Sequence, residues 1–236
     1  MTLHRLTDRG EAGAARRLHL GGRGTGGALV EALPCGACGG GRAGLAHGRT
    51  GSMMDLRVHT ERLDMAPLTL QEIEALIAGD GTLLRELTGG VLFPRPATPP
   101  PYMSDPLPDV RERLRARPEE APWWNWLMFE RETARAVGSV AFGGPPDEQG
   151  SVLIGYAMYP QFEGHGYATD AVRAMIGWAF QQPGVKLVRA LAPVWNTPAL
   201  RVAENVGMRP VAADEDDDIG EVLVYAIAAP ASVGSA

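Results

Sequence analysis

The sequence predicts a single mixed α/β domain, and three features of the 236-residue chain support this prediction. Short β-rich runs alternate with amphipathic helical segments from Leu56 onward, which is typical of a sheet covered by helices. The run 152–159 is almost continuously apolar, as expected of a strand buried on both faces. A turn with two glycines and a long amphipathic helix follow that strand directly.

Composition and charge exclude several functional classes. Hydrophobic residues make up 45% of the chain and charged residues 21%, a mix typical of globular proteins. No apolar stretch reaches the roughly 18 residues of a membrane-spanning helix, and two cysteines cannot build a disulfide framework. The net charge of −6 argues against a general nucleic-acid binder. We therefore expect neither nucleic acid nor a membrane among the partners.

The segment 1–53 is rich in glycine and arginine, and we expect it to be disordered and either dispensable or not translated as part of the working protein. Its Gly22-x-Gly24-x-x-Gly27 pattern lacks the strand that a dinucleotide site needs. Its Cys35-x-x-Cys38 pattern lacks the second ligand pair of a zinc site. We predict no metal site, a working domain over 54–228 and a frayed tail over 229–236.

Caps, breakers and apolar spacing predict the elements of the first half. Thr69-x-x-Glu72 is a capping box at the start of a helix that Gly79 ends. Seven prolines in 15 residues predict an extended loop over 94–108. The remaining elements are a strand, two further helices and two paired strands, over 62–67, 82–87, 109–117, 123–130 and 136–142. Trp123, Trp124 and Trp126 fall on one of these strands, where core packing is the default role and an aromatic wall for the substrate is the alternative.

The second half repeats the alternation of strands and helices. A helix begins at about Tyr167, and Asn196 is placed to cap another that Gly207 ends. The predicted strands of this half lie over 152–159, 186–191, 208–211 and 222–227. The acidic run Asp214–Asp218 is predicted to be a solvated loop, with attraction of a cationic amine as the sharper hypothesis.

The turn between the strand 152–159 and the helix at Tyr167 is the most informative segment. Gly164 and Gly166 allow a tight turn and leave backbone N–H groups open to a ligand. The first helical turn adds unpaired N–H groups and the positive end of the helix dipole. Such an arrangement binds phosphate or pyrophosphate. A Walker P-loop is excluded because no Lys-Ser or Lys-Thr pair follows the turn.

The pattern Gln161-x-x-Gly164-x-Gly166 after a buried strand resembles the acetyl-CoA loop of the GNAT acyltransferase superfamily. The other segments that carry the resemblance, in the order the family uses, are 137–142, 154–156, 166–171 and 196–208. Thr60-Glu61-Arg62-Leu63 is similar to the first strand of the family. The match covers about 56–228 and resembles the branch that contains the ribosomal-protein N-terminal acetyltransferases.

The resemblance implies a mostly antiparallel sheet of six to seven strands flanked by helices and splayed between strands four and five. Acetyl-CoA would lie in the splay as co-substrate, with no metal. Its pantetheine arm would pair with one strand and its pyrophosphate would meet the glycine loop. The implied cofactor-binding residues are Tyr156, Ala157, Met158, Gln161, Glu163, Gly164, His165, Gly166, Tyr167, Ala168, Thr169 and Asn196. The residues alone also allow His165 to face solvent and Asn196 to act only as a helix cap.

The resemblance does not extend to the acid and base of the reaction. Many relatives carry a tyrosine seven residues after the asparagine and a glutamate in the buried strand, where this chain has Ala203 and Leu153. The catalytic residues therefore stay unknown, with four weak candidates, Tyr156, Glu130, Glu132 and Tyr225. Catalysis by positioning, with water relaying the proton, is the alternative.

The expected activity is transfer of an acetyl group from acetyl-CoA to a primary amine of a small molecule. A protein N-terminus or side chain is the first alternative acceptor, and a non-catalytic acyl-CoA-binding module is the second. The partner is thus a small-molecule or peptide amine, and a homodimer is one candidate assembly. We expect a cytoplasmic protein, because acetyl-CoA is intracellular and the chain shows no export signal.

Overall fold

The structure, a computed structural model, describes residues 56–230 except 102, 104, 105 and 217–219. One eight-stranded sheet forms the centre of this region. Its strands, in chain order, are β1 Val58–His59, β2 Leu63–Pro67, β3 Asn125–Glu130, β4 Ala136–Phe142, β5 Ser151–Met158, β6 Leu187–Pro193, β7 Arg209–Asp216 and β8 Gly220–Ala228. Their spatial order is β1-β2-β3-β4-β5-β6-β8-β7, so β1 and β7 lie at the edges.

Helices cover both faces of the sheet. The α-helices of the described residues are α1 Leu70–Ala78, α2 Gly81–Leu87, α3 Leu107–Ala116, α4 Tyr167–Phe180 and α5 Thr197–Asn205. Short 3-10 helices span Pro118–Trp123 and Pro160–Phe162. The predicted capping box is confirmed, because the Thr69 hydroxyl accepts from Glu72 N while the Glu72 carboxylate accepts from Thr69 N. The predicted Asn196 cap is also confirmed, and its side-chain oxygen accepts from Ala199 N at 3.2 Å.

The sheet splays open between its two central strands. β5 and β6 run parallel and pair only over Ser151–Leu153 and Leu187–Arg189. Beyond these residues β5 pairs on its other edge with β4, and β6 pairs with β8. All other strand pairs are antiparallel. The predicted mixed, mostly antiparallel sheet with a splay at this point is therefore confirmed.

The number of strands and one strand boundary differ from those predicted. The sheet has eight strands rather than six or seven because of β1, whose two residues are too few to show a period. Trp123 lies in the 3-10 helix and Trp124 directly after it, so the strand begins only at Asn125. Pro118 and Pro122 lack the backbone N–H that a strand ladder needs, which favours the tight helical turn before β3.

The acidic run is a third correction. Asp214, Glu215 and Asp216 do not form a loop but the end of β7, which pairs with β8 through Val222, Glu221 and Gly220. Asp217 and Asp218 lie outside the described residues. Backbone pairing with β8 extends this strand, although its carboxylates favour solvent.

Two hydrophobic clusters lie on opposite faces of the sheet. The cluster under α4 and α5 contains Trp126 and Met175, and the cluster under α1, α2 and α3 contains Ile73 and Leu114. Side chains of β5 alternate between the clusters, as the period of two in a strand requires. The rings of Trp123 and Trp126 pack against Trp178 of α4 at 5.2 and 5.1 Å between centroids, which is the core role predicted for these tryptophans.

Gly138 lets β4 and β5 approach closely. A Cβ atom at this position would lie 2.4 Å from the Ala157 carbonyl oxygen and 2.8 Å from Met128 Cε. Any side chain here would push β5 away. The glycine therefore fixes the position of Ala157 and Met158, the residues that end β5 beside the splay.

None of the described helices combines the length and the apolar character needed to cross a membrane. Residues 56–230, where described, hold no group of three or more His, Cys, Asp or Glu side chains placed to bind a metal ion. The segment 1–53, with its glycine and cysteine patterns, and residues 231–236 of the tail lie outside the described residues.

Candidate functional site

The chain between β5 and α4 forms a turn built on two left-handed glycines. Gly164 has φ 74° and Gly166 has φ 79°, a region that L side chains rarely adopt. Gly166 is also the N-cap of α4, and no side chain caps this helix end. The N–H groups in the first turn of α4 are therefore available to a ligand in the splay.

The N–H groups and the carbonyl oxygens of the turn differ in their hydrogen bonding. Among the described residues, the N–H groups of 164–169 have no acceptor in the protein. The carbonyl oxygens accept from protein donors instead: His165 O from Arg62, Gly166 O from Asp170 N, and Glu163 O from the His165 ring. A set of backbone N–H groups that have no acceptor in the protein is suited to an anion such as pyrophosphate.

The end of β5 offers a second row of free backbone groups. Leu153 O accepts from Gly143 N, and Tyr159 N donates to Val137 O, so backbone groups at odd-numbered positions point to β4. Because neighbouring residues direct these groups to opposite edges of a strand, those of Tyr156 and Met158 face β6. β6 has diverged at this level, so an extended ligand chain could pair here as an added strand.

The opposite side of the splay is formed by the end of β6 and the start of α5. Asn196 is half-buried and spends its side-chain oxygen on the helix cap. The two residues before it expose large apolar side chains, with Val194 38% and Trp195 62% exposed. Side chains therefore dominate this side of the splay, whereas backbone groups dominate the side formed by β5.

Comparisons with known proteins agree with this geometry. Residues 62–209, more than half of the chain, match the family model described as acetyltransferase (GNAT) domain. The chain belongs to the GNAT acetyltransferase family. The resemblance found in the sequence is thereby confirmed, and the GNAT chain is an N-acetyltransferase.

Relatives of this GNAT chain include proteins with different acceptors. The uncharacterized N-acetyltransferase YjdG of Bacillus subtilis (strain 168) is 24% identical over 153 residues, 64% of this chain and 88% of YjdG. RimL, a ribosomal L7/L12 alpha-N-protein acetyltransferase solved in complex with coenzyme A, matches with TM-score 0.51 and 15% identity, covering 73% of this chain and 98% of RimL. A chimera of the spermidine N-acetyltransferase SpeG from Vibrio cholerae matches with TM-score 0.51 and 12% identity over 70% of this chain and 95% of the chimera. The two structures show that the fold is shared.

The remaining predicted cofactor residues lie in the turn between β5 and α4 and in the first turn of α4. Gln161, Glu163 and His165 are exposed, and Ala168 and Thr169 lie half-buried in the first turn of α4. The His165 ring stacks on the Tyr167 ring, with 5.9 Å between centroids. Contact with coenzyme A stays a prediction for each of these residues.

Of the four catalytic candidates, Glu130 contacts the turn between β5 and α4. The Tyr167 hydroxyl donates to the Glu130 carboxylate, and Thr133 donates to its second oxygen. These hydrogen bonds, Thr133 first, lower the pKa of Glu130 below its usual range, and the bond to Glu130 raises the pKa of Tyr167. Glu132 is exposed in the turn between β3 and β4. Glu130 is therefore held as a charged acceptor beside the turn.

The other two candidates are tyrosines. Burial and, to a lesser degree, the nearby Glu163 raise the pKa of Tyr156 to about 12. Burial also raises the pKa of Tyr225, whose hydroxyl lies 3.4 Å from Glu204 Oε1 on α5. Both phenols stay protonated near neutral pH, so each has a proton to donate and neither is a ready base.

Leu153 and Ala203 occupy the two positions where the sequence departs from the GNAT pattern. Leu153 is half-buried and is the last residue of β5 that pairs with β6, where the splay begins. Ala203 is 4% exposed and packs in the cluster that also contains Tyr225. Tyr225, rather than a residue of α5 itself, thus brings a phenol to the underside of α5.

The sequence analysis did not predict the long-range contacts that support the turn between β5 and α4 and the end of β5. Arg62, directly before β2, donates to Asp170 and to His165 O. The Tyr159 hydroxyl donates to Thr98 O and fixes the proline-rich loop against β5. These contacts join residues that are 61 to 108 positions apart in the chain, so no local sequence pattern predicts them.

Proposed function

We propose that the chain transfers the acetyl group of acetyl-CoA to a primary amine of a small molecule. The observation that carries this proposal is the row of N–H groups over 164–169 that lack an acceptor, next to the free backbone edge of Tyr156 and Met158. Together they suit a ligand with a pyrophosphate and an extended amide-bearing arm. Membership of the GNAT family supports acetyl-CoA as that ligand.

In the proposed reaction the neutral amine nitrogen attacks the thioester carbonyl carbon. A C–N bond forms, the C–S bond breaks, and the amine gives up one proton as the thiolate of coenzyme A takes one up. The Met158 N–H faces the splay and is our candidate donor to the carbonyl oxygen. Tyr225 and Tyr156, protonated near neutral pH, are candidate donors to the thiolate.

A protein acceptor is the second candidate, favoured by the exposed Val194 and Trp195 beside Asn196. Apolar side chains at the mouth of the splay suit a peptide better than a small hydrophilic amine. RimL and the SpeG chimera show that one fold serves a ribosomal protein in one case and spermidine in the other. A cytoplasmic location and a homodimer stay predictions.

Thermal unfolding with and without acetyl-CoA tests the cofactor site. Ligand at 100 times its Kd stabilises by about 2.7 kcal/mol, which raises the Tm of a domain of this size by roughly 5–10 °C. We expect this shift with acetyl-CoA and none with NAD or ATP. No shift with acetyl-CoA would contradict the proposal.

A pair of variants makes the test specific to the turn. Gly164→Asp places a carboxylate among the amides and should abolish the shift. Gly184→Asp is the matched control, because Gly184 has a similar φ of 85° and equally open surroundings outside the turn. An equal loss of the shift in both variants would show that strain, not the site, is responsible.

Turnover then separates the acceptor classes. Release of the coenzyme A thiol is measured with a panel of polyamines and amino sugars and with peptides bearing free N-termini. We expect the small amines to accelerate release most. Faster release with the peptides would favour the second candidate, and binding without acceleration by any amine would favour a non-catalytic module.

A further inference from the structure

Arg62 forms hydrogen bonds to the turn between β5 and α4, on the side opposite the expected ligand. Its Nη1 donates to His165 O at 2.8 Å, and its Nε and Nη2 donate to Asp170 Oδ2 at 2.9 and 2.6 Å. The guanidinium carbon also lies 4.8 Å from the centre of the Tyr167 ring. One side chain directly before β2 therefore contacts His165 of the turn and Tyr167 and Asp170 of the first turn of α4.

The bond to His165 sets the direction of one amide of the turn. A trans peptide holds its C=O and its N–H in opposite directions. Because His165 O points to Arg62, the Gly166 N–H of the same peptide points away from Arg62. Gly166 has no side chain to obstruct this arrangement, and a Cβ there would lie 3.2 Å from Arg62 Nη2. The bond from Arg62 thus fixes the orientation of the His165–Gly166 peptide and directs the Gly166 N–H away from the guanidinium.

The pairing with Asp170 removes an unfavourable charge. Asp170 lies in the first turn of α4, where a carboxylate is stabilised by the helix dipole. The same carboxylate would repel a pyrophosphate at that helix end. Two hydrogen bonds from the guanidinium compensate its charge, as a forked arginine does best.

We propose that Arg62 is a positioning residue for the pyrophosphate of acetyl-CoA, acting by orienting the His165–Gly166 peptide and by neutralising Asp170. The inference rests on the proposed function, because it assumes that the turn binds this pyrophosphate. It requires no contact between Arg62 and the ligand.

The folded domain depends little on Arg62. Its side chain is 43% exposed, and exposed ion pairs contribute little to stability. Arg115 is a matched control, since it is 47% exposed and forms a 2.6 Å ion pair with Glu74 on the far helices α3 and α1. Arg62→Met and Arg115→Met should therefore lower the Tm by similar, small amounts.

Calorimetric titration of the full chain with acetyl-CoA measures the effect. We expect Arg62→Met to weaken binding about 10- to 30-fold, on the order of what one or two charge-assisted hydrogen bonds contribute, and Arg115→Met to leave the Kd unchanged. Arg62→Lys keeps the charge but loses the fork and should fall between. Asp170→Asn alone should bind at least as tightly as the original chain, and added to Arg62→Met it should recover part of the loss.

A ligand without the pyrophosphate separates positioning from general damage. S-acetylpantetheine competes for the β5 edge only, so we expect Arg62→Met to leave its inhibition of acetyl transfer, or its competition with acetyl-CoA in the titration, unchanged. Equal weakening of both ligands would overturn the proposal in favour of a structural role.

The outcomes distinguish this inference from the proposed function. If the original chain does not bind acetyl-CoA, the proposed function fails. If it binds and Arg62→Met binds equally well, only the role of Arg62 fails. If Asp170→Asn restores nothing in the Arg62→Met background, the neutralisation of Asp170 is wrong. Should Arg62→Met fail to fold, Arg62→Lys and Asp170→Asn still give the comparison.

Discussion

The two sides of the splay are built in different ways. The β5 side uses the backbone of one continuous segment, 156–169, with glycines at its turn. The β6 side uses side chains from separate elements, Asn196 at the start of α5, Trp195 before it and Tyr225 on β8. A backbone site depends on local chain conformation, whereas a side-chain site depends on which elements meet. The backbone segment follows the family pattern, whereas two side-chain positions depart from it, Leu153 on β5 and Ala203 on α5.

The β5 side should be the more sensitive to added atoms, and Gly138→Ala is the strongest test. We expect a loss of about 2–3 kcal/mol in unfolding free energy, because the new Cβ would meet the Ala157 oxygen and Met128. The displaced β5 should also lose the Tm shift with acetyl-CoA. Gly177→Ala in α4, with nothing within 4 Å, is the control and should gain up to about 1 kcal/mol. Equal Tm values for the two variants would show that β4 and β5 do not constrain each other.

Gly166→Ala tests whether the turn is more than a strained backbone. Gly164→Ala is the control, since both glycines have positive φ but only Gly166 faces Arg62. We expect Gly164→Ala to raise the Kd for acetyl-CoA about twofold to threefold and Gly166→Ala about tenfold, a difference of roughly 1 kcal/mol. Calorimetric titration measures both. Identical values would mean that strain alone sets the affinity.

The acidic end of β7 tests the acceptor side. Asp214→Asn/Glu215→Gln should raise the KM for a cationic amine about twofold to threefold at low salt, with little effect at high salt. Glu86→Gln/Glu148→Gln removes two exposed charges elsewhere and is the control. If KM were the same for both double variants at every salt concentration, the acidic end of β7 would have no role in attracting the amine.

Substitution of Glu130 should give the smallest effect, a pH-dependent change in Tm, because its carboxylate accepts a hydrogen bond from Tyr167 at the start of α4. Its folded-state pKa lies below the ordinary 4.5 because Thr133 and Tyr167 donate to the charged form. The stabilisation is therefore present above about pH 4.5 and is lost as the pH falls through the lower, folded-state pKa. We expect the Tm difference between the original chain and Glu130→Gln to shrink below pH 4.5. Glu132→Gln, in the turn between β3 and β4, should show no such trend. If the Tm difference between the original chain and Glu130→Gln persisted at low pH, the stabilising role of the charged Glu130 would be contradicted.

Most elements could be predicted from the sequence because their causes are local. The Thr69-Glu72 capping box, the Asn196 cap and the apolar run of β5 act within a few residues. Two of the errors arose where strand pairing overrides local preference. The acidic residues of β7 join a strand because β8 supplies hydrogen bonds, and β1 exists only because β2 lies beside it.

The sequence by itself determined the family, the glycine turn before α4 and the order of most strands and helices, because each is encoded by residues close together in the chain. The tertiary structure alone decided the contacts of Arg62 with His165 and Asp170, of Tyr167 with Glu130, and of Tyr225 with Glu204. These pairs are 21 to 108 residues apart, and a hydrogen bond between side chains leaves no spacing pattern behind. Local conformation thus places the backbone of the site, and long-range packing chooses the side chains that hold it.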